Sequence, residues 1–126
     1  MIKIKVDDLL NGMLMKDIAS LLEINAYFDA DIFNKLNRVV PELVQLKNYL
    51  MTVSIQLCKR EGGKGEYING NFQYDFSNPK ARDIFLRSSY QPMIEQYYYF
   101  DISPIVFDDR VPSELQTKLQ CLQIGA

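Results

Sequence analysis

The residue type that limits chemistry most in this sequence is histidine, which is absent from all 126 residues. Histidine is the commonest general acid or base near neutral pH and the commonest ligand of transition metals. A serine, threonine or cysteine nucleophile needs an adjacent base, and no motif here pairs one with a lysine or a carboxylate. We therefore predict that the protein is not an enzyme and has no catalytic, cofactor-binding or metal-binding residues.

Two carboxylate pairs and one glycine-rich run could still bind ions. Asp29 with Asp31, and Asp108 with Asp109, lack the further oxygen ligands and the spacing of a calcium loop. We interpret both pairs as helix caps or surface turns. The run Gly62-Gly63-Lys64-Gly65 could bring main-chain N–H groups to a phosphate, but a phosphate loop precedes a helix and has Ser or Thr after its lysine. Because this run follows a helical pattern, we interpret it as a helix stop.

A row of aromatic residues at positions 97–100 is the strongest candidate for binding. In a strand, Tyr97 and Tyr99 point to one face, while Tyr98 and Phe100 point to the other. One face then belongs to the core, and the other is an exposed aromatic row of the kind enriched at protein interfaces. The row could also stack nucleic-acid bases, but its neighbours along the chain are acidic. We predict Tyr97, Tyr99 and Tyr90 as partner-binding residues.

The composition limits the classes of protein that remain. A chain of this length with 48% apolar residues can bury the core of one domain, so we predict a single domain spanning 1–126. The formal net charge of −2 removes the basic field that general binding to phosphate backbones needs, so a nucleic-acid partner is not expected. The N-terminus has no hydrophobic signal region, and no apolar run reaches the ~20 residues of a membrane span.

The two cysteines, Cys58 and Cys121, each lie in an apolar helical pattern without a CxxC pair. We expect buried free thiols in a reducing compartment, with a disulfide between them as the alternative. Together with the absence of a signal or membrane segment, this predicts a cytoplasmic protein.

Alternating residues at the N-terminus predict a strand over 2–6. The aromatic and β-branched residues of 97–107 predict a strand up to Pro104, which is the natural partner of the first. Asp7 or Asp8 then caps a helix whose apolar positions run from Leu9 to Leu22, weakened by Gly12.

The clearest pattern is an apolar heptad row from position 32 onward. It predicts one kinked helix of nearly 30 residues, or two abutting helices, because Pro41 lies inside it. The first row comprises Ile32, Leu36, Val39, Leu43, Leu46, Leu50, Val53 and Leu57. A second row comprises Phe33, Val40, Val44, Met51 and Ile55.

After the helix stop, Asn69-Gly70 between β-formers predicts a small exposed hairpin over 66–74. Ser77 or Asn78 before Pro79 caps a third helix, which Pro92 either kinks or ends. Its predicted inner face comprises Ala81, Ile84, Phe85 and Ser88. A last helix begins at Ser113 or Glu114 and carries Leu115, Leu119 and Leu122.

These elements predict a mainly α fold with a minor β part: a long kinked helix packed by two shorter helices, a small antiparallel sheet and a hairpin. The long helix has more apolar length than its two neighbours can cover, which predicts a docked protein partner or a homodimer. The predicted dimer face comprises Leu36, Val39, Leu43, Leu46, Leu50, Val53 and Leu57.

The order of several short motifs resembles an uncharacterised family of short proteins from tailed phages of Gram-positive bacteria. These motifs are Met1-Ile2-Lys3-Ile4-Lys5, the heptad helix, Asn69-Gly70-Asn71-Phe72, Pro79-Lys80-Ala81, and Phe100 to Ile105 before a leucine-patterned helix. The resemblance implies a phage or prophage origin and brings no activity with it.

We therefore expect a non-enzymatic protein–protein interaction module that acts in the host cytoplasm on a host enzyme, a host defence component or another phage protein. A virion or assembly component that polymerises through the long helix is the alternative. A nucleic-acid-associated phage protein is the third possibility.

Overall fold

A computed structural model describes residues 1–24 and 30–125 of the chain. Its helices and strands follow in the order β1 (Ile2–Lys5), α1 (Val6–Leu10), α2 (Leu14–Glu23), α3 (Ala30–Arg60), β2 (Lys64–Ile68), β3 (Asn71–Asp75), α4 (Pro79–Ile84), a π-helical segment (Phe85–Tyr90), α5 (Gln91–Ile94), β4 (Tyr97–Phe100), α6 (Ser113–Lys118) and a 3-10 turn (Gln120–Leu122). The predicted mainly α fold with a minor β part is confirmed.

The first and last strands of the chain pair as predicted. β1 and β4 form a two-stranded antiparallel sheet, with Ile2 opposite Phe100. Ile2 and Ile4 are buried, so the alternating pattern predicted the inward-facing residues of β1 correctly. β4 is shorter than the predicted segment because the chain turns after Phe100, where the Ile102 N–H donates to the Phe100 carbonyl at 2.9 Å.

The prediction of a single first helix is wrong, because this segment forms two helices, α1 and α2. α1 ends at Leu10, and the Asn11 and Gly12 N–H groups both donate to the Asp7 carbonyl, at 2.9 and 3.0 Å. At Gly12 the main chain comes so close to α1 that an added Cβ would lie 2.6 Å from the Asp8 carbonyl oxygen. Asp7 and Asp8 lie in the first turn of α1 and do not cap it, since the helix already begins at Val6.

α3 runs unbroken through Pro41 as one helix of 31 residues, so the single-helix interpretation is correct. The predicted cap Asp29 lies outside the described residues. Much of the first heptad row is buried within the chain itself: Ile32, Leu36, Val39, Leu43 and Leu50 are buried, while Leu46, Val53 and Leu57 are half-buried. The predicted dimer face is therefore wrong for Leu36, Val39, Leu43 and Leu50, because side chains already packed in the core cannot contact a second copy.

The glycine-rich run ends α3, as predicted. Gly62 has a φ of 88°, its N–H donates to the Lys59 carbonyl at 3.0 Å, and the Gly63 N–H donates to the Cys58 carbonyl at 3.0 Å. These two bonds form a Schellman motif, which satisfies two of the last four carbonyl groups of the helix. The N–H groups of Gly62 and Gly63 are thereby used inside the fold, and neither is available to hold a phosphate.

The hairpin forms around Asn69 and Gly70, which both have positive φ, at 53° and 81°. This is the two-residue turn that the Asn-Gly pair favours. The prediction of an exposed hairpin is wrong for one of its faces, where alternate side chains pack in an aromatic cluster with buried Phe85. We define the aromatic cluster as Tyr67, Phe72, Tyr74, Phe76, Phe85 and Tyr90.

The third helix continues through Pro92 to Ile94, by way of the π-helical segment. The Asn78 side chain accepts a hydrogen bond from the Lys80 N–H at 2.9 Å, which confirms the predicted cap. The predicted inner face is correct for buried Phe85 and wrong for Ile84 and Ser88, which are exposed. Ser88 lies within the π-helical segment, where the wider turn changes which side chains face inward, whereas Ile84 lies in α4 before that segment.

The C-terminal part closes the fold against β1. The predicted last helix is shorter than expected, because α6 ends at Lys118 and Leu122 lies in the 3-10 turn. Leu119 and Leu122 are buried, and the Ile105 N–H donates to the Leu122 carbonyl at 2.7 Å. Cys58 and Cys121 are both free, as expected. Among the described helices, none is both long enough and apolar enough to cross a membrane.

Candidate interaction surface

The predicted alternation of the aromatic row is confirmed. The exposed fractions of Tyr97 and Tyr99 are 47% and 60%, whereas Tyr98 is half-buried and Phe100 is buried. Since successive strand residues point to opposite faces, the buried side chains of β4 fix the orientation of the exposed ones. The two tyrosines therefore lie side by side on a surface whose reverse side belongs to the core.

Strand pairing adds two lysines to this surface. Lys3 lies opposite Tyr99 and Lys5 lies opposite Tyr97 in the antiparallel register. The Lys3 ammonium lies 4.8 Å from the centre of the Tyr97 ring, which is within cation–π range. We call Lys3, Lys5, Tyr97 and Tyr99 the outer sheet face. The two lysines were not among the predicted partner-binding residues, although the Ile-Lys alternation of β1 is the signal that places them on this face.

Tyr90 is not part of the outer sheet face. Its ring is half-buried in the aromatic cluster, with centroid distances of 5.6 Å to both Phe72 and Phe85. Its hydroxyl donates to Asn11 Oδ1 at 3.2 Å and accepts from Asn11 Nδ2 at 3.0 Å. Burial raises the pKa of the Tyr90 hydroxyl, and the hydrogen bond to Asn11 offsets part of that rise. The structure thus places Tyr90 in an internal contact between the aromatic cluster and the end of α1.

Tyr67 is the least satisfied member of the aromatic cluster. Its hydroxyl oxygen is buried and makes no hydrogen bond of good geometry with the described residues. Ser54 lies close enough to lower the pKa of Tyr67, but the Ser54 hydroxyl itself donates to the Leu50 carbonyl at 2.8 Å. Burial is the larger effect, and it raises the pKa of Tyr67. The cluster is therefore a packing feature that carries one unsatisfied polar atom.

The second row of α3 is the apolar strip that remains partly open. Phe33 and Val44 are 49% and 43% exposed, and Val40, Met51 and Ile55 are half-buried. The exposed apolar surface of α3 thus belongs to the second row, which lies beside the predicted dimer face, and not to the buried residues of that face.

A polar cleft of about 550 Å³ lies between α3 and the loop after β4, and both of its cationic side chains contact groups of the cleft itself. Lys35 Nζ lies 3.0 Å from Asp31 Oδ2 and donates to the Pro104 carbonyl at 3.4 Å. Arg38 donates to the Asp101 carbonyl at 3.4 Å. In residues 1–24 and 30–125, no group of three or more Cys, Asp or Glu side chains is placed to hold a metal ion.

The other predicted carboxylate pair forms a local turn. Asp108 accepts hydrogen bonds from the main-chain N–H and from Nε of Arg110, both at 2.9 Å. These bonds, and the charge of the guanidinium, hold the pKa of Asp108 below its ordinary value.

Comparison with known proteins finds no matching family model, no matching curated protein and no matching solved structure.

Proposed function

We propose that this chain is a non-enzymatic protein–protein interaction module that contacts its partner through the outer sheet face. The observation that supports this most directly is the exposure of Tyr97 and Tyr99 side by side on a sheet whose other face is core. Tyrosine is enriched among the residues that dominate binding energy, because it buries a large ring and retains a polar end.

The elements beneath the tyrosines favour this use. Phe100 and Ile102 anchor the strand end in the core, and Lys3 contacts the Tyr97 ring from the neighbouring strand. A binding surface that is ordered before association loses less conformational entropy when it binds. The outer sheet face therefore has the properties of a preformed contact surface.

The proposed setting is a phage-infected or prophage-carrying Gram-positive cell, which follows from the order of motifs described above. In the host cytoplasm the partner would be a host enzyme, a host defence component or another phage protein. The alternative of a virion component that polymerises through α3 receives less support, because Leu36, Val39, Leu43 and Leu50 are buried.

Single-stranded nucleic acid is the second candidate ligand, because pairing places Lys3 and Lys5 beside the exposed tyrosines. Base-stacking platforms combine such rings with a basic groove that follows the phosphates. Two lysines on a chain with a net charge of −2 supply little of that groove, so a protein partner is favoured.

The test compares two variants that lose exposed tyrosines in different places. The Tyr97→Ser/Tyr99→Ser variant is expected to lose a partner captured from infected or induced Gram-positive cells. The Tyr49→Ser variant removes a similarly exposed ring on α3 and is expected to retain that partner. Both variants should keep the free energy of unfolding within about 1 kcal/mol of the original chain, as expected for surface positions. Equal capture by both variants, or collapse of the fold in the first, would contradict the proposal.

A further inference from the structure

The main chain of β4 has an open outer edge. In an antiparallel pair, residues whose main-chain groups bond across the ladder alternate with residues whose groups point outward. The Val6 N–H donates to the Gln96 carbonyl at 2.9 Å. This bond shows that every second residue from Gln96 onward bonds to β1. Tyr98 and Phe100 then bond to β1, while the N–H and C=O groups of Tyr97 and Tyr99 point away from it.

No described residue covers these outward groups. β4 pairs with β1 alone, and no main-chain or side-chain hydrogen bond from residues 1–24 or 30–125 reaches Tyr97 or Tyr99 from the outer edge. Natural proteins protect such edges with prolines, charged residues or bulges within the strand. β4 reads Tyr-Tyr-Tyr-Phe and has none of these. An unprotected edge that also carries the exposed tyrosines is suited to accept an additional strand.

We propose that the partner binds by adding an extended segment to the outer edge of β4, with acidic side chains at the positions that share the outer sheet face. Main-chain hydrogen bonds would supply affinity in this mode of recognition, and alternate side chains would supply specificity. This inference rests on the proposed function, because it specifies how the same surface is used.

The acidic character of the segment follows from the position of the lysines. Lys3 and Lys5 are one strand away from the open edge, but the Lys3 ammonium extends over the Tyr97 ring, on β4 itself. Carboxylates on the outward side of an added strand would face this ammonium across the tyrosine row. The lysines thus favour acidic residues opposite Tyr97 and Tyr99, whereas Glu95 and Asp101 lie outside β4, beyond its two ends.

The inward side of the same edge favours apolar side chains. Tyr98 and Phe100, the inward residues of β4, are half-buried and buried. Inward-pointing side chains of an added strand would lie next to them, beside a cavity of about 230 Å³ whose lining includes Val39 and the charged residues Arg38 and Glu42. The expected segment therefore alternates acidic and small apolar residues.

A second copy of this chain fits the edge less well. Two β4 strands could pair in antiparallel fashion through the outward main-chain groups of Tyr97 and Tyr99. This pairing places Tyr97 of one copy opposite Tyr99 of the other. In such a pair the Lys3 ammonium of each copy still lies over its own Tyr97 ring, and neither β1 nor β4 carries a carboxylate that could pair with it. An acidic segment supplies such carboxylates, whereas a second copy does not.

The experiment uses a short, end-capped peptide of alternating Glu and Val, titrated against the full chain by fluorescence anisotropy and by amide hydrogen exchange. The peptide is expected to bind and to slow exchange at the Tyr97 and Tyr99 amides, while the Tyr98 and Phe100 amides are protected before it is added. The Lys3→Glu/Lys5→Glu variant should bind this peptide about tenfold more weakly. It should prefer the matched Lys-Val peptide instead.

The role of the main chain is tested at Tyr99. Tyr99→Pro removes the outward N–H, whereas Tyr99→Ala removes the ring alone, so the proline variant should bind the peptide about tenfold more weakly than the alanine variant. A circular dichroism spectrum that matches the original chain shows that each variant is folded. Equal binding by the folded Pro and Ala variants contradicts strand addition.

Three further outcomes would overturn the inference: no binding of the Glu-Val peptide, tighter binding of oligothymidylate, or self-association that protects the Tyr97 and Tyr99 amides. If the peptide does not bind while Tyr97→Ser/Tyr99→Ser still abolishes partner capture, strand addition is wrong and the proposed interaction function is retained. If the peptide fails and capture is unchanged, both are wrong.

Discussion

The ammonium group of Lys3 lies 4.8 Å from the centre of the Tyr97 ring, although the strand register places Lys3 directly opposite Tyr99. The lysine therefore extends diagonally across the sheet. Diagonal neighbours in a sheet are within reach of long side chains and aromatic rings. This contact links the two strands on the solvent side, where the core does not hold them.

We predict that Lys3 and Tyr97 contribute jointly to stability. A double-mutant cycle with Lys3→Ala and Tyr97→Ala, measured by chemical denaturation, should give a coupling energy of about 0.5–1 kcal/mol, as for exposed cation–π pairs. Lys3→Ala combined with Tyr49→Ala should be additive, because Tyr49 lies on α3. Equal coupling in the two cycles would show that the Lys3 ammonium does not contact the ring in solution.

We predict that Phe85 and its neighbour Ile84 differ sharply in their effect on stability. Phe85 is fully buried at the centre of the aromatic cluster, so Phe85→Ala should lower the free energy of unfolding by about 3–5 kcal/mol. Ile84 is 43% exposed, so Ile84→Ala should cost less than about 1 kcal/mol. Denaturant titrations measure both values, and similar losses would contradict the burial of Phe85 and the exposure of Ile84.

The different positions of Ile84 and Phe85 show where local patterns stop being informative. A helical period placed both residues on one inner face, but Ile84 lies at the end of α4, before the π-helical segment, and only Phe85 packs against the aromatic residues of the hairpin. Tyr90 illustrates a second limit, since an aromatic residue is equally suited to an interface and to a core. Only the contacts with Phe72 and Asn11, both far away in sequence, place Tyr90 inside.

The predictions are correct where a few neighbouring residues determine the structure. Gly62, Asn69 and Gly70 adopt the positive φ values that a helix stop and a two-residue turn require. The alternation of Tyr97 and Tyr99 also holds, because one strand alone determines it. The pairing of the two segments was predicted, but the contact of Lys3 with Tyr97 depends on the register of that pairing, which neither segment alone determines.

We predict that Gly12 cannot be replaced without moving main chain. In Gly12→Ala the new Cβ would lie 2.6 Å from the Asp8 carbonyl oxygen, so the junction of α1 and α2 must shift, at a cost of about 1–3 kcal/mol. Gly125→Ala is the matched control, since its nearest side-chain neighbour, Pro104 Cγ, is 3.7 Å away. Thermal unfolding should show a lower midpoint for Gly12→Ala alone, and equal midpoints would contradict the close approach.

We predict that stability falls at alkaline pH through Cys121. Burial, followed by the nearby Asp8 charge, raises the pKa of the Cys121 thiol from 9.0 to about 11. The unfolded chain therefore releases this proton at lower pH than the folded chain does. The contribution of Cys121 to the free energy of unfolding should be constant below about pH 9 and decline between about pH 9 and pH 11.

Two variants isolate this decline from other groups that titrate in the same range. Burial also raises the pKa values of Cys58, Tyr67 and Tyr90, so the original chain keeps some pH dependence from them. Cys121→Ala should flatten the curve by the Cys121 contribution alone. Asp8→Asn should bring the thiol pKa down and make the decline smaller, because the carboxylate no longer opposes the thiolate. Denaturant titrations across this pH range measure the slopes, and a Cys121→Ala slope equal to that of the original chain would show that the thiol is solvated in the folded protein.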